Sequence, residues 1–144
     1  MKIIVDANII FSAILNTNGK IASLLINTPS LNFIAPDFLR TEIRSKYLKL
    51  SKLSGMTNDR IIEAEFRVCK HIDFISEEQI KLSHWLAAEK LVADIDPNDV
   101  HYVAYAKHFR CKIWSGDKAL MKGLEKKGFK HVISTADLYD MKKK

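Results

Sequence analysis

The chain has 144 residues, 47% of them hydrophobic and 28% charged, enough for one globular domain with a true core and short for two. Its net charge of +6 leans towards a polyanionic partner, although a solvated lysine face is the commoner meaning of such a balance. No apolar run approaches the ~20 residues of a bilayer span, the first run is interrupted by Asp6 where a signal peptide needs an apolar core, and Cys69 and Cys111 stand far apart without zinc spacing. A cytoplasmic protein with reduced thiols and no membrane segment is expected.

In chain order, Ile3, Ile4 and Val5 form a short β-branched run, the pattern of a strand buried on both faces of a sheet. Asp6 follows where that strand ends, and open α/β sheets bind their ligands there. The same position suits a helix cap, because Ile9 to Leu15 has helical spacing; on Asp6 alone both readings stand. Asn16 to Gly19 breaks the pattern, and Ile21 to Ile26 is a second helix. Leu31 to Ala35 reads as a second strand closed by Pro36. From Asp37 one amphipathic helix is expected as far as Gly55, with Phe38, Leu39, Ile43, Tyr47 and Leu50 approximating its buried stripe. Glu42 borders that stripe, and taken alone it reads as a solvated acid paired with Lys46 at i+4.

Thr57-Asn58-Asp59 opens a helix running to about Lys70, and Asp73 to Ser76 is a short strand. A long helix from Glu77 to about Val92 follows, started by Ser76 and two acids, with His84 and Trp85 as packing residues. Asp96-Pro97 is a helix start, with Asp96 as the cap and Pro97 at the first position. Asp99, Val103 and Ala106 fall at i, i+4 and i+7, so Asp99 shares the apolar stripe, where a site explains a carboxylate better than solvation does. Asp94 is expected to be exposed. Lys112 to Ser115 is a strand, Gly116 its turn, and Asp117 repeats the position of Asp6 at a strand's carboxyl end. Lys130 to Ser134 is the last strand and Thr135 to Met141 a closing helix.

Strands alternating with helices imply right-handed crossovers, hence a three-layer α/β/α fold around a mostly parallel five-stranded sheet, read as a single domain over 1–144. The order 3-2-1-4-5 would set Asp6 and Asp117 on neighbouring strand ends about 5 Å apart. Carboxylates gathered in this way repel, and take up protons or bind cations. Oxygen donors without Cys or His select hard ions, Mg²⁺ or Mn²⁺. Such ions can activate a water for phosphodiester cleavage, and a basic surface attracts a nucleic-acid backbone. The chain has no Gly-rich phosphate loop, no Gly-x-Ser-x-Gly elbow and no dinucleotide fingerprint.

Four stretches carry a resemblance: Val5-Asp6-Ala7-Asn8-Ile9-Ile10, Pro36 through Glu42-Ile43, Asp96-Pro97-Asn98-Asp99 through Ala104 and Ala106, and Ile113-Trp114-Ser115-Gly116-Asp117. In order and spacing, over nearly the whole chain, they resemble the successive motifs of PIN-domain nucleases. The resemblance implies a metal-dependent endoribonuclease whose catalytic and metal-holding set is Asp6, Glu42, Asp99 and Asp117. It implies supporting hydrogen bonds from Asn8 and Ser115, and it leaves Asp96 a competitor of Asp99 for the third position. Trp114 departs from the smaller aliphatic residue usual there. By its size the chain is similar to the VapC-like toxins of toxin–antitoxin pairs, which makes a cognate antitoxin and a second copy of the chain in a homodimer expected partners beside the RNA substrate. Arg40, Arg44, Lys46 and Lys49, on the helix of Glu42, are expected to border the site and hold RNA.

Two other readings stay open. A haloacid-dehalogenase-type phosphatase also places an Asp after its first strand, but wants a second Asp two residues on, where this chain has Asn8. A non-catalytic α/β domain could bind RNA or a protein over a vestigial acidic pocket; the presence of all four acids argues against decay.

Overall fold

Why the first strand organises the rest is visible in its neighbours. In a computed structural model describing residues 1–143, β1 (Lys2–Val5), β2 (Asn32–Pro36), β3 (Ile72–Ile75), β4 (Lys112–Trp114) and β5 (Val132–Ile133) form one sheet in the order β3-β2-β1-β4-β5. Every pairing is parallel, so each connection must cross over through helix. β1 is central: Ile4 pairs with Ile34 of β2 and Ile113 of β4, and Ile3, Ile4 and Val5 are fully buried. A strand covered on both faces can carry apolar side chains at every position, which is why the run does not alternate. Each such side chain contributes about 1.5–3 kcal/mol on burial.

Helices cover both faces of the sheet in three α/β/α layers. The helices α1 (Ala7–Leu15), α2 (Lys20–Asn27) and α5 (Asn58–Cys69) pack on one another, and α6 (Leu82–Val92) lies along α7 (Val100–Phe109). α7 also touches β1, β2 and β4, so it lies over the middle of the sheet. Among the largest fully buried side chains are Trp114 on β4 and Tyr105 on α7. Trp114 packs at a tilt against Phe33 and donates its indole N–H to the Thr135 hydroxyl at 2.9 Å. The indole is therefore buried without leaving its polar atom unpaired.

Two expected helices are broken. The one expected from Asp37 to Gly55 divides at Lys46 into α3 (Phe38–Ser45) and α4 (Tyr47–Ser54). Ser45 turns its hydroxyl back onto the Glu42 carbonyl at 2.7 Å, and Lys46 N–H bonds Ile43 three residues back, tightening the turn. The one expected from Glu77 is a single 3₁₀ turn, Glu77–Gln79, then an extended Ile80 that is buried, and only then α6. Burying Ile80 from an extended backbone ends the turn.

The remaining helices, α8 (Lys118–Lys126) and α9 (Thr135–Lys143), follow their strands as expected, although β5 keeps only two of its five expected residues. Cys69 and Cys111 are buried and free. No single helix among the described residues is long and apolar enough to cross a membrane.

Candidate active site

The sheet register builds the centre of the site. Val5 and Trp114 are paired at the ends of β1 and β4, and Asp6 N–H reaches the Trp114 carbonyl at 3.4 Å. The chain therefore leaves two adjacent strands side by side, at Asp6 and just before Asp117. Each of these acids caps the helix that follows. Asp6 Oδ1 accepts Ile9 N–H at 3.0 Å, and Asp117 Oδ1 accepts Leu120 N–H at 3.0 Å. Ser115 links the two: its buried hydroxyl oxygen accepts Asp117 N–H at 3.0 Å, and the hydroxyl is hydrogen-bonded to the Asp6 side chain.

The other acids arrive from the helical layers. Glu42 comes from α3 and is paired with Lys46 at 3.4 Å, so its solvated ion pair and its place at the cavity coexist. Asp99 ends a 3₁₀ turn, Pro97–Asp99, that runs directly into α7. Asp96 caps that turn by accepting Asn98 N–H at 3.0 Å and does not line the cavity, whereas Asp99 does. Asp6, Asn8, Glu42, Asp99 and Asp117 line one cavity of about 520 Å³, together with Phe38, His101 and Tyr102.

Burial and crowding raise the cost of charge here. Burial pushes the Asp6 carboxyl above its ordinary range, and the Asp117 charge adds to that; Ser115 and the Ile9 and Asn8 N–H groups pull the other way. Asp99 is pushed up to about 6, first by burial and then by the charges of Asp96, Asp117 and Asp6. Asp99 Oδ2 is buried with no hydrogen-bond partner. An orphaned buried carboxylate oxygen is costly and calls for a cation, a proton or a water.

The donors suit a hard divalent cation: four carboxylates and one amide, without sulfur. They do not converge on a point, since among the described residues no group of three or more His, Cys, Asp or Glu side chains stands close enough together to hold an ion.

The cations fall differently from expectation. Lys46 is tied to the cavity through Glu42, and its ammonium lies over the Phe11 ring at 5.2 Å. Arg40 and Arg44 do not border the acids: they line a separate, mainly apolar groove with Glu65 and Phe66 of α5. Two residues along an α-helix is about 200° of rotation, so both arginines point away from Glu42. Arg44 pairs with the buried Glu65 at 3.6 Å, and Arg40 lies over the Phe74 ring at 4.1 Å. Lys49, exposed on α4, is not among the residues lining the acidic cavity.

Sequence reasoning passed over Phe38, His101 and Tyr102. Tyr102 had a signal, because it follows Asp99 at i+3 and shares its helix face. Its hydroxyl accepts Ala7 N–H at 3.2 Å across 95 residues of sequence. His101 had none that spacing could reveal; its Nε2 meets Glu77 at 2.9 Å and its ring packs on Phe38 and Trp85. Compared with known families, residues 4–136 match the PIN domain. No curated protein matches the chain.

Proposed function

The chain belongs to the PIN-domain family, a family of nucleases, and from that premise we propose that it is an endoribonuclease dependent on Mg²⁺ or Mn²⁺. What supports this is the meeting of four acids from four separated stretches of sequence in one cavity at the carboxyl ends of β1 and β4. Asp6, Glu42, Asp99 and Asp117 would hold the cation, which when bound supplies a Lewis acid that activates water and offsets phosphate charge. Asp6 and Asp117 each spend one oxygen on a helix cap, so their carboxylates are held in fixed orientation. Ser115 keeps the pair together, and Asn8 adds an amide at the mouth. Lys46, at the junction of α3 and α4, is paired with Glu42 and is the first candidate for an RNA phosphate contact. The size of the chain and its resemblance to VapC-like proteins support a toxin of a toxin–antitoxin pair, held in check by a cognate antitoxin.

The test is Asp6→Asn, which keeps the shape and the cap acceptor while removing one charge. Wild type should cleave RNA with Mn²⁺ and stop with EDTA, and the variant should not cleave with either. Mn²⁺ at about 100 times its dissociation constant should add about 2.7 kcal/mol to wild type and much less to the variant. Equal stabilisation of both proteins by Mn²⁺, with cleavage intact in the variant, removes the nuclease reading at its central residue.

A further inference from the structure

Tyr102 is the neutral member of an acidic cavity, and its hydrogen bonding is unusual. It is buried, at 7% exposure, on the first turn of α7. A buried phenol usually donates its proton to a carbonyl, as Tyr105 does one turn on, to Ile75 O at 2.7 Å. Tyr102 instead accepts: Ala7 N–H points at its oxygen at 3.2 Å. That bond fixes the oxygen against the first residue of α1, between Asp6 and Asn8. It occupies a lone pair and leaves the O–H free to turn into the cavity that Tyr102 lines with Asp6, Glu42, Asp99 and Asp117. Burial above all, and then the charges of Asp6, Glu42 and Asp99, raise the phenol above its ordinary range, so it is a neutral donor.

A phosphodiester entering this cavity meets carboxylates, which repel it. A rigid neutral donor is what a non-bridging phosphate oxygen can accept from without a change in the cavity's charge. We propose that Tyr102 is a substrate-contacting residue of the cleavage reaction, its hydroxyl donating a hydrogen bond to a non-bridging oxygen of the RNA phosphate while Ala7 N–H holds it in place. The backbone anchor separates this from a flexible surface contact, because moving the oxygen would leave a helix-start N–H without its partner. The inference rests on the nuclease reading and adds a residue outside the acidic set.

The experiment compares wild type with Tyr102→Phe on a short fluorescent single-stranded RNA, by binding anisotropy in EDTA and by single-turnover cleavage with Mn²⁺. For cleavage, three substrates carry oxygen, Rp sulfur or Sp sulfur at one mapped linkage. The variant should bind the RNA several-fold more weakly and cleave the oxygen substrate about tenfold more slowly. With one sulfur diastereomer, whose sulfur replaces the oxygen that Tyr102 contacts, the variant should lose less than twofold. The Mn²⁺-induced rise in melting temperature should be the same in both proteins.

Equal losses on all three substrates, or a smaller Mn²⁺ response in the variant, would show Tyr102 acting on the acids and overturn the phosphate contact. Wild type that binds RNA without cleaving it overturns the nuclease reading alone, and the binding ratio of the two proteins then decides for or against Tyr102. Wild type that does not bind RNA overturns both.

Discussion

Asp99→Asn should make the metal-free protein more stable, and the gain should depend on pH in a direction set by the cavity. The carboxyl is pushed from its ordinary 3.8 to about 6 by burial and by Asp96, Asp117 and Asp6. For an acid whose value is raised on folding, the folded state holds its proton more tightly than the unfolded chain does. Its contribution is then fully present below pH ~4 and lost as pH climbs through about 6. At ~1.4 kcal/mol per pH unit the ceiling on that loss is about 3 kcal/mol, and solvent at the cavity mouth trims it to roughly 1–2 kcal/mol. The substitution sacrifices little in return. Asp99 makes no capping bond with its side chain, and its Oδ2 has no partner to lose. In EDTA at pH 8 the variant should melt higher by roughly 3–6 °C, at about 3 °C per kcal/mol for this size. At pH 4 the two proteins should melt within about 1 °C of each other. Differential scanning calorimetry across that range reads it directly. A variant less stable than wild type at pH 8, or an offset constant with pH, would refute the argument that crowded, buried charge governs Asp99.

Two further predictions concern residues outside the acids. Arg40→Gln with Arg44→Gln should leave RNA affinity and its salt dependence unchanged, since both side chains face α5 rather than the acidic cavity; a flattened salt slope in a binding titration would put the RNA path on that face. Arg110 ends α7 in the left-handed region at φ 54, where a side chain with a Cβ is strained, so Arg110→Gly should raise stability by about 0.5–1 kcal/mol in urea unfolding.

The centre of the sheet was legible because a parallel strand buried on both faces favours an unbroken apolar run, and Ile3-Ile4-Val5 is one; β4 shows only Ile113-Trp114 after an exposed Lys112. The helix breaks at Lys46 and Ile80 were not legible, because each depends on something periodicity does not encode. One is a serine hydroxyl returning to a carbonyl, the other a single isoleucine buried from an extended backbone. Helical phase placed Asp99 rather than Asp96 at the cavity, and it could equally have placed Tyr102 there. It also carried the information that Arg40 and Arg44 oppose Glu42; grouping four cations by helix membership rather than by angle lost it.

For Asp6 the sequence posed helix cap and site carboxylate as alternatives, and the geometry removes the opposition there and shows the same double use at Asp117. A carboxylate has two oxygens, and a cap needs one. Asp6, directly after its strand, has its backbone fixed by the ladder, whereas Asp117, three residues past Trp114, has its N–H fixed by the Ser115 hydroxyl; in both the following helix holds the side chain through an N–H three residues on. Capping thus orients a carboxylate at a sheet end, with Ser115 supporting both acids. The same bond lowers the cost of charge at a buried position, opposing desolvation at Asp6. Asp99 has neither the cap nor a partner for Oδ2, and its carboxyl is correspondingly pushed up to about 6. Within one cavity, the acids anchored by helix N–H groups are the fixed members. Of the other two, Glu42 already has Lys46 beside it, and Asp99 is where added positive charge, whether a proton or a cation, relieves the most strain.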